Sequence, residues 1–281
     1  MPASSARQAL DAAADALHAA GIEEPRLDAE VLLAEAMGVD RVMLATEAQA
    51  EVAPAAARLY GEMVRRRLRR EPVAYILGRK GFRRLELAVD RRVLIPRPET
   101  ELLVEVALER RPENVLDVGT GSGAIALAVA DELPGCAVTA TDTSPAALEV
   151  ARANAEGLGL ADRVRFLAGS VPEGEFDLVL ANLPYVSERH WPALQPEVTR
   201  WEPREALLAG PDGLDAYRFF LPECGRAFGP YPAGSSTTLA VEVGEGQGPA
   251  VTELMERAGF GGVEVRRDLA GVERVVIGTG G

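Results

Sequence analysis

Asp117-Val118-Gly119-Thr120-Gly121-Ser122-Gly123 is the stretch on which the reading of this chain turns. It follows an apolar run at 114–118 with strand character and opens onto a second apolar run at 123–130 that reads as a helix. Three glycines between a strand and a helix leave no side chains where a ligand must come close. They also aim backbone N–H groups and the helix N-terminus at it. Asp142 closes the next predicted strand about twenty residues further on, the position from which a carboxylate accepts hydrogen bonds from both hydroxyls of a ribose. Together the loop and the carboxylate predict a nucleotide-binding site.

Outward from that loop, strands and helices alternate from Glu99 to the end, which predicts an α/β fold with a mostly parallel sheet and crossover helices. The strands are expected at 114–118, 137–141, 164–167, 176–181, 237–243, 263–267 and 272–277. The last two, joined by a short turn through Gly271, suit an antiparallel hairpin at one edge. The connection 229–236 reads as flexible. Toward the N-terminus the chain is helical. Pro25 sits in a first turn, 27–37 has apolar residues at helical spacing and Gly38 follows as a stop. Another helix starts near Pro54, with Tyr60, Met63, Val64 and Leu68 on one face and Arg65, Arg66, Arg69 and Arg70 around the rest. The alternating run 82–89, followed by Asp90 and 93–95, predicts a strand pair ended by Pro96 and Pro98. The resulting division is a helical domain at 1–77, a β-hairpin linker at 78–95 and the α/β domain at 96–281.

Composition narrows the function. The chain has 281 residues, 47% hydrophobic and 26% charged. At roughly 150 residues per domain this suggests a folded protein of about two domains, and it excludes a disordered or fibrous chain. The longest apolar stretch stops at Asp131, far short of the ~20 residues of a membrane span. The first ten residues carry Arg7 and lack the pattern of a secretory signal, so a cytoplasmic protein without a membrane partner is expected. Cys136 and Cys224 stand far apart, and His18 and His190 are the only histidines, which argues against a disulfide framework or a metal centre. Lys80 is the only lysine, so a phosphate-binding or catalytic lysine is all but excluded. The net charge of −13 divides into −7 for residues 1–57, +8 for 58–92 and −14 for 93–281. An acidic body repels phosphates, so no direct nucleic acid partner is expected. The basic band between Arg65 and Arg92 has two readings, a dock for an acidic macromolecular surface or a solvated helix face and hairpin.

The glycine loop alone does not choose the nucleotide. Gly119, Gly121 and Ala124 satisfy the G-x-G-x-x-G/A pattern, which keeps a nicotinamide dehydrogenase open. Led by Asp117, however, the loop resembles motif I of the S-adenosylmethionine-dependent methyltransferases, whose cofactor has an ammonium and no pyrophosphate. An acidic neighbour suits the first and would repel the second. After the strand at 176–181 comes Asn182-Leu183-Pro184-Tyr185, which resembles the Asn-Pro-Pro-Tyr motif of methyltransferases acting on planar nitrogens, either an amide or an exocyclic amine. Such a nitrogen is a weak nucleophile because its lone pair is delocalised, so the enzyme must fix its orientation. The Asn182 side-chain carbonyl and the Leu183 backbone carbonyl offer two acceptors for the two N–H bonds, which aims the lone pair at the methyl group. Tyr185 offers an aromatic wall. Asn182, Pro184 and Tyr185 are the candidate catalytic residues. Leu183 stands where the motif has proline. The carbonyl survives, while the loop loses a φ restraint and gains an N–H.

Further motifs carry the resemblance to nearly the whole chain. Glu71-Pro72-Val73-Ala74-Tyr75-Ile76-Leu77-Gly78, Leu94-Ile95-Pro96-Arg97-Pro98-Glu99-Thr100, Glu202-Pro203-Arg204, the stretch from Gly210 to Asp215, and Asp268-Leu269-Ala270-Gly271-Val272-Glu273-Arg274-Val275 are similar to the peptide-chain release factor glutamine methyltransferases. The resemblance implies a Rossmann-like methyltransferase sheet, mostly parallel with an antiparallel edge hairpin, and a small helical N-terminal domain that helps dock the protein substrate. It implies methyl transfer from S-adenosylmethionine, leaving S-adenosylhomocysteine, to the glutamine amide of a Gly-Gly-Gln loop in release factors; a monomer is expected. The implied cofactor residues are Asp117, Gly119, Thr120, Gly121, Ser122, Gly123, Asp142, Ser170, Val171 and Asn182. Substrate would meet Asn182, Leu183, Pro184, Tyr185, Arg97 and Glu99. Family members often carry an acid near position 170. Two alternatives remain, a nucleic acid adenine methyltransferase, disfavoured by the acidic body, and a non-catalytic cofactor-binding protein, disfavoured by the intact Asn182, Pro184 and Tyr185.

Overall fold

The computed structural model describes residues 5–46, 49–228 and 237–280. The connection 229–236, expected to be flexible, lies outside them. The chain forms two compact units, Met1–Gly78 with Gln195–Trp201, and Arg79–Leu194 with Glu202–Gly281.

The first unit begins with α1 (Ala6–Ala19), α2 (Pro25–Met37), α3 (Arg41–Thr46), α4 (Pro54–Leu68) and α5 (Val73–Leu77). A capping box starts α1, where the Gln8 N–H donates to Ser5 Oγ and the Ser5 N–H to Gln8 Oε1. Prolines open α2 and α4, and Gly38 ends α2 in the left-handed region at φ 66°. Leu10, Leu17, Leu32, Leu33, Tyr60 and Met63 form its core. One expectation fails here. Leu68 is exposed, and Arg67 occupies the inward position seven residues after Tyr60. Arg67 is buried because carboxylates reach it. Its Nε donates to Asp28 Oδ2 at 2.7 Å and its Nη1 to Glu197 Oε1 at 2.6 Å, while Arg70 donates to the other oxygen of Glu197 at 2.7 Å. Arg66 likewise bonds both oxygens of Glu71. Much of the basic band is therefore neutralised by its own chain.

The second unit contains β1 (Arg79–Phe82), β2 (Leu85–Ala88), α6 (Glu101–Arg110), β3 (Asn114–Val118), α7 (Ala124–Glu132), β4 (Ala137–Asp142), α8 (Pro145–Gly157), β5 (Val164–Ala168) and β6 (Leu178–Ala181). After α9 (Pro196–Trp201), which belongs to the helical unit, follow α10 (Asp215–Ala227), β7 (Thr238–Glu242), α11 (Gly248–Arg257), β8 (Phe260–Arg267) and β9 (Glu273–Gly280). Seven strands make one sheet in the order β5-β4-β3-β6-β7-β9-β8. The first five are parallel, and β9 runs antiparallel to both β7 and β8. The predicted α/β sheet with an antiparallel edge hairpin is thus the observed one. Its central parallel strands β3, β6 and β7 are buried on both faces, as interior parallel strands require, while the edge strands β5 and β8 are partly exposed. Val115, Leu178, Leu180, Ala240 and Ile277 pack with α6 and α7, while Leu116, Val118, Val179, Val241 and Val276 pack with α10 and α11. Every residue of α7 from Ala124 to Ala130 is buried, which accounts for its apolar run.

The predicted strand pair is corrected. The hairpin turns inside the alternating run at Arg83-Arg84, pairing Arg79 with Ala88 and Phe82 with Leu85, and 93–95 is not a strand. Arg83 takes φ 53°, tolerated because its N–H donates to Glu101 and its guanidinium grips both oxygens of Glu132. The hairpin falls within the second compact unit.

Candidate active site

The strand order reverses between β3 and β6, so the loops after β3, β4 and β6 open together at the carboxyl end of the sheet. The loop after β3 is tethered to β4, since the N–H groups of Gly119 and Thr120 both donate to the Thr141 carbonyl at 2.9 Å. Gly119, Gly121 and Gly123 hold φ values of 75°, 56° and 85°, a backbone that side chains rarely tolerate. Asp142 is braced from both sides, accepting from the Gly121 N–H at 2.9 Å and the Ser144 N–H at 2.8 Å. A Cβ added to Gly121 would meet nothing within 4 Å, so the space before the loop is open.

A cavity of about 220 Å³ fills that space. Of the residues singled out from sequence, Gly119, Gly121, Asp142, Ser170, Asn182, Leu183 and Pro184 line it. Sequence reasoning missed Arg92, Val93, Thr143, Ser144, Gly169, Glu205 and Ala206, which close its walls. Arg92 and Val93 directly precede the motif at 94–100, and Glu205 and Ala206 complete a short 3-10 helix begun by Arg204 of the Glu202-Pro203-Arg204 motif, so those motifs could have pointed to them. Thr143, Ser144 and Gly169 follow strand ends with no motif of their own.

Other expected residues sit elsewhere. Asp117 does not reach the cavity. It is fully buried behind the loop, accepting from the Thr120 hydroxyl at 2.6 Å and the Ala126 N–H at 3.2 Å. Burial pushes its carboxyl up to about 7, against those two hydrogen bonds. Thr120 and Ser122 are buried too, and Asn154 Nδ2 donates to the Ser122 carbonyl, so these residues and Gly123 shape the loop from behind. Val171 packs with the α10 side of the core. Ser170 lines the cavity and donates to Glu223 at 2.9 Å, so an acid from α10 stands beside it. Arg97 is committed to Glu202 and to the Ile95 carbonyl, and Glu202 also accepts from the Ile95 N–H. Arg97 and Glu99 are thus outside the cavity lining.

Asn182 is half-buried and donates from Nδ2 to the Thr100 hydroxyl at 3.0 Å, which leaves its Oδ1 as an acceptor for a ligand. The following Tyr185 does not line the cavity. Its hydroxyl donates to Glu242 Oε1 at 3.4 Å, and burial raises its pKa. Glycines clasp this loop from behind. A Cβ on Gly213 would come within 2.4 Å of the Tyr185 carbonyl, and Gln247 Nε2 donates to both that carbonyl and the one of Gly213. Glu242, at the end of β7, escaped the sequence reading although a lone carboxylate in an apolar strand marked it. It is buried, and burial pushes it up to about 7.

A reversed parallel sheet, a glycine loop facing a braced ribose carboxylate and an asparagine acceptor beside them define an S-adenosylmethionine-dependent methyltransferase. The donor set fits that cofactor, since a carboxylate for the ribose and an open backbone loop face the cavity, and the arginine in its lining, Arg92, is already paired with Asp90 and Glu149. Two family models match, a PrmC N-terminal domain over residues 8–78 and a methyltransferase domain over 115–201. The release factor glutamine methyltransferase of Moorella thermoacetica is 45% identical, covering 95% of this chain and 96% of its own. That of Caulobacter vibrioides is 42% identical, covering 97% and 95%. A methyltransferase from Pyrococcus furiosus shares the fold at a TM-score of 0.52 and 19% identity, over 70% of this chain and 89% of that one. The chain belongs to the release factor glutamine methyltransferase family. Among the described residues, no helix is long and apolar enough to cross a membrane, and no group of three or more His, Cys, Asp or Glu could hold a metal ion.

Proposed function

We propose that this enzyme methylates the side-chain amide nitrogen of the glutamine in the Gly-Gly-Gln loop of peptide-chain release factors, in the cytoplasm and as a monomer. The observation that carries the reading is Asn182, whose Nδ2 is spent on Thr100 while its Oδ1 is left for a ligand beside the glycine loop. Asn182 Oδ1 and the Leu183 carbonyl accept the two N–H bonds of the target amide, which aligns its lone pair and stabilises the positive charge that develops on nitrogen. S-Adenosylmethionine supplies the electrophilic methyl group and leaves as S-adenosylhomocysteine. Asp142 holds the ribose, and Gly119 and Gly121 let the cofactor approach the backbone. Leu183 and Pro184 flank the amide, and the nitrogen's proton leaves to water. The helical unit docks the release factor, using the exposed Arg58 and Arg65 of α4 and Arg69 just after it rather than its neutralised arginines.

The test is incubation with isotopically labelled S-adenosylmethionine and either a folded release factor or an adenine-containing oligonucleotide, with the label located by mass spectrometry. Label on the Gly-Gly-Gln glutamine is expected. Label on adenine, or no transfer with cofactor binding intact, would overturn the proposal.

A further inference from the structure

Gln247 has no part in the reaction just described, yet its whole side-chain amide is engaged. Its Oε1 accepts from the Gly244 N–H at 2.9 Å, and its Nε2 donates to the Tyr185 carbonyl at 3.0 Å and to the Gly213 carbonyl at 3.2 Å. A glutamine amide has one carbonyl and two N–H bonds. The Gly244 N–H therefore sets which way the amide faces, and both hydrogens fall to the two carbonyls. One side chain, from the residue before α11, thus ties together the loops after β6 and β7 and the loop before α10. The joint is close-fitting. A Cβ on Gly244 would come within 2.8 Å of Gln247 Oε1 and 3.1 Å of the Tyr185 ring, and one on Gly213 within 2.8 Å of Gln247 Nε2.

The Tyr185 carbonyl shares a planar peptide unit with the Val186 N–H, which donates to the Leu207 carbonyl at 2.8 Å. That plane is held from both sides and cannot turn without breaking a bond. At the other end of the loop Ala181 is fixed in β6, paired with Val118 and Val241. Only Asn182, Leu183 and Pro184 lie between the two anchors, and the ring of Pro184 locks one further torsion. These three residues include both acceptors proposed for the target amide. Leu183 has no such lock, so the direction of its carbonyl depends on the anchors at either end.

We infer that Gln247 is a positioning residue for the methyl transfer: by fixing the Tyr185–Val186 peptide plane it holds the Leu183 carbonyl and the Asn182 side chain in the orientation that grips the target nitrogen. The inference rests on the proposed reaction for its kinetic effect, while the bracket itself exists without turnover. Gln247 is outside the cavity lining and acts through the loop alone.

Gln247→Glu and Gln247→Ala test it, at about pH 8, where a carboxyl is ionised. Glutamate has the same length and keeps an oxygen for the Gly244 N–H, but it offers no hydrogen to the two carbonyls. Alanine gives up all three bonds. With a release factor as substrate, well below the Tm of each variant, both changes should lower kcat by roughly tenfold or more, the scale of loosening one preorganised group. The affinity for S-adenosylhomocysteine by calorimetry should stay within about twofold, because the side chain does not reach the cavity. A Gln247→Glu enzyme as fast as the parent, or a loss of cofactor affinity equal to the loss of kcat, would overturn the role. Independent of activity, amide exchange at Val186 should be faster than in the parent in both variants, whereas at Gly244 it should be faster in Gln247→Ala alone. Val186 exchange unchanged in both overturns the bracket even if the parent proves inactive on release factors, a failure that would count against the proposed substrate alone.

Discussion

Asn182 spends its amide hydrogen on Thr100 and keeps its oxygen for a ligand. Asn182→Ala should therefore lower turnover by at least ~100-fold with little change in cofactor affinity, as expected for losing one group that acts on developing charge. Near-normal turnover in a single-turnover assay would remove it from that role. Asp117 makes a prediction of another kind. Burial raises its carboxyl to about 7 from its usual 3.8. The folded protein thus keeps a proton that the unfolded chain releases, so this group's contribution to stability is complete below the lower value and declines as pH rises to the upper one. Asp117→Asn should cancel the decline, with its Tm gaining a few degrees on the parent between about pH 4 and about pH 8. A Tm difference that does not vary with pH would show that Asp117 titrates normally. The acidity of Asp117 was legible from sequence, but its direction was not. It lies on β3 facing the loop's underside, a matter of which way one residue of a buried strand points. Asn182, Gly119, Gly121 and Asp142 were legible because short motifs fix their place at strand ends, whereas Glu242 reaches the site only through the pairing of β6 with β7.

At the scale of elements, the parallel strands announced themselves as apolar runs because both of their faces are covered. The position of the hairpin's turn did not. That turn, at Arg83-Arg84, has no glycine, proline or asparagine, and the left-handed Arg83 is held by Glu101, Glu105 and Glu132 from helices later in the chain. The segment after the hairpin is organised by a distant residue in the same way. Glu202 accepts from the Ile95 N–H at 3.0 Å and pairs with Arg97, while its own side chain is almost wholly buried. Glu202→Ala would leave a backbone donor and a guanidinium without their shared acceptor. It should destabilise the protein by about 2–4 kcal/mol in urea and speed amide exchange at Ile95. Unchanged exchange at Ile95 would argue against the tether. The Gly213 clasp is as strict, since a Cβ there would strike the Tyr185 carbonyl and the backbone holds φ 81°. Gly213→Ala should cost roughly 1–3 kcal/mol in the same titration.

The two units of the whole molecule were foreseen as helical and α/β parts, because the hydrophobic period changes between them. That α9 belongs with the helices could not be read, since six residues at 196–201 carry no mark of where they pack. Their anchor is Glu197, held by Arg67 and Arg70 with all three side chains largely buried. Removing one member of such a set strands the others. Glu197→Ala should destabilise the helical unit by about 3–5 kcal/mol, with little relief from added salt. Protease sensitivity unchanged across α4 and α9 would refute the anchor. A consequence follows for heredity and engineering. The polypeptide passes between the units after residues 78, 194 and 201, so the N-terminal module is not a bead that one splice can exchange. A chimera joined at position 78 would inherit two guanidiniums from one parent and their counter-charge from the other. Lineages should therefore vary positions 67, 70 and 197 in concert, and a working graft must bring its heptapeptide along.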